Sequence, residues 1–168
     1  MDERLRQIFS FPNPVNEVSA RLVAGGVVLM SLTAIVFNQK WITLVIAYGF
    51  IARVLSGPSL SPLGQVVTRV VTPRLPFAAK PVPGPPKRFA QAMGVVFSVT
   101  AAVLAFGVKQ WGAAEIVLGL LIAAATLESV FAYCMGCKIF NLLMRAGIIP
   151  AGVCEECNNL ALRFRPTA

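Results

Sequence analysis

The chain contains no histidine. That removes the ordinary base of a serine or cysteine triad and excludes histidine-ligated haem. Charge is scarce as well: 13 % of the 168 residues are charged and only seven are acidic, too few for an ordinary soluble domain. No glycine-rich phosphate loop occurs, since the Gly25-Gly26 pair sits inside an apolar run. The net charge of +8 raises the question of nucleic acid. No basic stretch is interleaved with aromatics, however, so nucleic acid is not an expected partner. Cysteine is confined to four positions, all within the last 35 residues.

What is abundant is apolar: 57 % of the residues, gathered in blocks. A run of about 18 residues with little charge can cross the hydrocarbon core. Four blocks are candidates, Val18–Phe37, Trp41–Leu55, Phe89–Val108 and Gly112–Tyr133. Their few charges (Arg21, Arg53, Glu115, Glu128) lie towards block ends, where side chains reach the interface. The second block is short, since fifteen residues rise about 22 Å. The expected fold is therefore all-α, an integral membrane bundle of four transmembrane helices in two hairpins, followed by a short cysteine-containing helical tail.

The divisions are residues 1–17 as an N-terminal segment, 18–55 as the first hairpin, 56–88 as a proline-rich loop, 89–133 as the second hairpin and 134–168 as the tail. Of the 15 Lys and Arg residues, twelve fall on the side shared by both termini and the long loop. Lys40 and Lys109 fall on the other side, and Arg53 lies within a block. This asymmetry predicts an inner-membrane protein with both termini cytoplasmic and the lipid bilayer as its first partner. No secretory signal peptide is expected, because the first apolar stretch is span-length.

Finer expectations follow. Each hairpin turn carries a lysine and a tryptophan, suited to the interface. Asn13 caps the first helix with Pro14 at its first position, and Glu17 pairs with Arg21. Ala90, Gly94, Ser98 and Ala102 form a small-residue stripe that packs on a neighbouring helix. Residues 1–11 read as a brief amphipathic lead-in. The loop reads as a semi-rigid linker, the alternative being a short interfacial helix with Pro62 at its start. A short amphipathic helix spans Lys138–Ala146 and ends at Gly147, and a last helix opens at Cys154.

The chemistry is concentrated in Cys134-Met-Gly-Cys137 and Cys154-Glu-Glu-Cys157, separated by 16 residues. A C-x-x-C at a helix N-terminus has a depressed thiol pKa, giving a thiolate that attacks disulfides or accepts sulfur. Two adjacent dithiols permit exchange between pairs. The same spacing suits a four-cysteine zinc site in a non-enzymatic scaffold or small-solute transporter, and inert thiols remain a third reading. A pair of structural disulfides is disfavoured in a reducing cytoplasm. Glu128 is the proton carrier nearest the thiols in sequence, and it is expected to pair with Arg53. If a small anion binds, Arg21 and Arg53 are the cations to hold it. The redox reading needs no cofactor, the scaffold reading needs zinc, and an oligomer is allowed by either.

Several stretches together resemble a bacterial membrane family catalogued as domain of unknown function 4395. They are Pro12-Asn13-Pro14-Val15-Asn16-Glu17 with Ala20-Arg21, Gly57-Pro58 to Ser61-Pro62-Leu63, Pro85-Pro86-Lys87-Arg88-Phe89-Ala90-Gln91 and Tyr133-Cys134-Met135-Gly136-Cys137. The resemblance implies a small four-span membrane protein with a thiol motif. It also implies a soluble thioredoxin-like or sulfurtransferase partner, and it brings no reaction with it.

Overall fold

A computed structural model describes residues 13–76 and 80–154. The lead-in at residues 1–11, the last helix beyond Cys154, and Cys157 lie outside the described residues. The architecture is helical, and four segments are long and apolar enough to cross a membrane. Their outward side chains are apolar too: Leu29, Val96, Val103, Ile116 and Leu120 are all exposed. In water such a surface would be an aggregation hazard; against lipid it is the expected finish.

Helix α1 is Glu17–Val36, and it starts three residues later than a cap at Asn13 allows. Asn16 is the cap, its Oδ1 accepting from Val18 N at 3.0 Å. The cause is a small ladder. Val15–Asn16 (β1) pairs antiparallel with Pro81–Val82 (β2), and Glu17 N donates to Lys80 O at 2.9 Å. That ladder holds residues 15 and 16 extended. Asn13 serves elsewhere, accepting from Gly84 N at 2.9 Å. Glu17 pairs with Lys80 at 2.9 Å rather than with Arg21.

Helix α2, Ile42–Ser56, stops at Gly57, whose φ of +64° is open to glycine. The proline-rich loop then departs from a linker in its first half. Ser61 caps α3 (Pro62–Val66) by accepting from Gly64 N at 3.2 Å, and helical turns continue to Arg74. Helix α4 runs Gly84–Ala102, beginning five residues before Phe89 because Pro85 and Pro86 fit the first helical turn. Its extension at 103–107 widens, with Val108 N bonded to Val103 O at 3.0 Å. Helix α5 is Trp111–Phe131, and α6 is Met135–Arg145 with Gly147 at φ +76° beyond it.

The hairpins interleave. Helix α1 packs chiefly on α5, and α2 chiefly on α4, while α1 and α2 touch each other far less. The core they share includes Val27, Ala34, Ile46, Phe50, Ala101, Leu118 and Leu121. At one end the two short turns meet, with Lys40 Nζ 5.9 Å from the centroid of the Trp111 ring. The small-residue stripe packs as expected. Ser98 is fully buried and bonds back to Gly94 O at 2.7 Å. A Cβ on Gly94 would lie 2.1 Å from Phe50 Cε1, and one on Gly136 would lie 2.5 Å from Ala90 Cα. So α4 receives the Phe50 ring from α2 and the backbone of α6.

Gly94→Ala is expected to destabilise the bundle by about 1–3 kcal/mol through overpacking. Gly119→Ala, where a Cβ meets nothing within 4 Å, should be neutral or stabilise by about 0.5–1 kcal/mol. Thermal unfolding of both variants in mild detergent checks this, and equal midpoints would refute the packing.

Candidate functional site at the thiol end of the bundle

The end of the bundle away from the two short turns gathers Arg21, Arg53, Lys87, the glutamates Glu17 and Glu128 and the first cysteine pair. Arg21 on α1 reaches across to α5, where Nε and Nη2 donate to the carbonyls of Ser129 and Val130 at 3.0 Å each. These are carbonyls of the last helical turn, left without intrahelical partners. Ala132 ends that helix in the left-handed region at φ +55°.

Arg53 on α2 is 5 % exposed. Its Nε donates to Gln91 Oε1 at 2.9 Å and its Nη1 to Ser61 Oγ at 3.1 Å, while its guanidinium carbon lies 4.5 Å from the Phe50 ring centroid. The expected Arg53–Glu128 pair is therefore not what forms. Glu128 is taken by Lys87 instead, Nζ to Oε1 at 2.7 Å, with both side chains largely buried. Reading the sequence missed Lys87, which was placed in the loop. The signal was the Pro85-Pro86 pair, which starts α4 early and turns Lys87 into a first-turn residue.

Cys134 is the N-cap of α6, and its Sγ accepts from Cys137 N at 3.4 Å. Cys137 thus lies inside the helix rather than before it. The two thiols are free and differ in character. The Cys137 thiol hydrogen-bonds to Cys134 and holds it below the usual cysteine value; Lys87 acts in the same direction, against burial and Glu128. Donating that bond, together with burial, pushes Cys137 far up. The two thiols are thus held apart in character, Cys134 down and Cys137 up.

Cys154 is buried and disulfide-bonded, so in this form it offers no thiolate. Cys154 thus differs in state from Cys134 and Cys137, which are free. Among the described residues, no three His, Cys, Asp or Glu side chains gather as a metal site. Cys157, needed for the four-cysteine zinc set, lies outside the described residues.

Two cavities meet here. One of about 70 Å³ is lined by Cys134, Gly136, Glu128, Arg53 and Gln91 among others. The second, of about 180 Å³, shares Arg53 and Gln91 and adds Lys87 and the wall made by Pro14, Val15 and Asn16. Arg21 lines neither.

A family model described as Domain of unknown function (DUF4395) matches residues 15–145. The chain belongs to that family. Neither a curated protein nor a solved structure matches it. The family region takes in Cys134, Cys137, Glu128, Lys87 and Arg53, and it ends before Cys154 and Cys157.

Alkylation with iodoacetamide against pH, read by mass spectrometry, should give a first inflection at Cys134 below the free-thiol value of about 8.5. Lys87→Met should move that inflection up, since it removes the cation that favours the thiolate. Cys137 should stay unlabelled through the same range. A shared inflection at the free-thiol value would sink the asymmetry.

Proposed function

We propose that the protein is a thiol carrier of the bacterial inner membrane, with its termini and its thiol end in the cytoplasm. It passes reducing equivalents or sulfur through Cys134 and Cys137 to or from a soluble partner of thioredoxin-like or sulfurtransferase type. The observation that carries this reading is the capped C-x-x-C: a free thiol at a helix N-terminus, bonded to a second free thiol, beside a buried lysine. The orientation rests on the distribution of lysine and arginine.

In the disulfide direction, the Cys134 thiolate attacks one sulfur of a partner disulfide. A mixed disulfide forms as the partner's S–S bond breaks and releases a thiolate. Cys137 then gives up its proton, with Glu128 as carrier, and attacks Cys134 Sγ. The partner's second sulfur leaves as a thiolate. Two electrons have moved to the partner, the site is left as a Cys134–Cys137 disulfide, and a soluble dithiol reduces it again. With a persulfide partner, Cys134 takes the outer sulfur and the partner leaves as its thiolate, with no net electron transfer.

Oxidised glutathione is a sufficient probe on purified protein. The wild type should close an intramolecular disulfide, Cys137→Ser should hold a glutathione adduct on Cys134, and Cys134→Ser should be unreactive at the same pH. Equal reactivity of the two single variants, or unchanged thiol and sulfur phenotypes in cells carrying normal amounts of the double variant, would overturn the proposal.

A further inference from the structure

Arg53 and Lys87 are both buried at this end of the bundle, and one carboxylate, Glu128, is bonded to Lys87. No carboxylate lies within ion-pair distance of Arg53 among the described residues. Its two hydrogen bonds go to neutral oxygens of Gln91 and Ser61. A guanidinium has five N–H donors, so three remain unspent. While Cys134 carries its proton, the three side chains of Arg53, Lys87 and Glu128 are left one positive charge over, in a place where an unbalanced charge is costly.

Arg53 and Lys87 both line the 180 Å³ cavity, and among the described residues no acidic one lines it. Gln91 is there as well, its oxygen already committed to Arg53 and its amide N–H groups free to donate. Val15, Ala20, Val23 and Pro58 give the lining an apolar share, beside the polar Asn16, Ser19 and Thr68. Each feature narrows the occupant. The surplus charge asks for a monoanion. The planar guanidinium fork matches two oxygens on one carbon better than a point charge does. The apolar share favours a body that sheds water easily over a strongly hydrated ion.

We propose that this cavity binds a small carboxylate bearing a short apolar group, its oxygens held by Arg53 and Lys87 and its apolar group set against Val15, Ala20 and Val23. The inference does not rest on the thiol relay: Cys134 lines the neighbouring cavity and not this one, and its thiolate acts here only as a competing counter-charge to Lys87.

The test is calorimetric titration of the full chain in a non-ionic detergent. Sodium butyrate should bind saturably at one site per chain, formate at least tenfold more weakly, and the neutral isostere butyramide not at all. Arg53→Gln should abolish binding. Because that variant risks misfolding, Ala20→Leu provides a second arm, filling the cavity while keeping every charge, and should weaken butyrate at least tenfold. The Cys134→Ser/Cys137→Ser double variant, which removes the thiolate as a rival counter-charge, should bind butyrate at least as well as the wild type. Equal uptake of butyrate and butyramide, no saturation, wild-type affinity in Ala20→Leu, or loss of binding in the double cysteine variant would each overturn the proposal.

Discussion

A cation buried at the end of an apolar bundle must find oxygen acceptors inside the protein; two such cations, Arg53 and Lys87, and the half-buried Arg21 hold this one together. Arg21 ties α1 to the last carbonyls of α5. Arg53 ties α2 to Gln91 on α4 and to the cap of α3. Lys87 ties α4 to Glu128 on α5. The first two links cross between the hairpins, and the third closes the second hairpin on itself. The lipid-facing parts of the same helices offer only side-chain packing, which in hydrocarbon lacks the hydrophobic drive it has in water. The polar links therefore fix the rotation and depth of the helices, and through them the position of the thiols.

Small residues do the complementary work. Where α4 meets α2 and α6, Gly94 and Gly136 remove the Cβ that would hold the backbones apart, and Ala90 and Ser98 keep the face narrow. The close fit of α6 on α4 also brings Phe89 and Phe140 to 5.7 Å between ring centroids. This seats the amphipathic helix whose N-terminus carries Cys134. The thiol pair is thus fixed by a helix that lies against the bundle, not by the bundle's own spans.

Much of this was legible in the sequence for a simple reason: blocks of apolar residues and periodic stripes are properties of one segment at a time. The four spans, the turns with Lys and Trp, the stripe from Ala90 to Ala102 and the helix after Cys134 all belong to that class. What was not legible depends on two segments at once. Glu128 pairs with Lys87 instead of Arg53 because α4 begins early, which no count of charges near span ends reveals. Arg21 turns to backbone carbonyls, a kind of partner that carries no side-chain signal. Cys134 acting as a helix cap was hidden because sulfur is not among the usual capping acceptors, although its spacing to Cys137 is that of an N-cap to the third helical residue.

The antiparallel pairing of Val15–Asn16 with Pro81–Val82 bears on how the protein is made. The strand emerging first has to wait for some 65 further residues before its partner exists. Helix α1 must likewise wait for α5, and α2 for α4, since neither finds its main neighbour within its own hairpin. Insertion of the first hairpin therefore yields an intermediate whose basic groups at residues 21 and 53 still lack acceptors. That intermediate is one a translocon or insertase would have to shelter until the second hairpin arrives. The thiol end rests on both hairpins, so it is the last part of the molecule to acquire its shape.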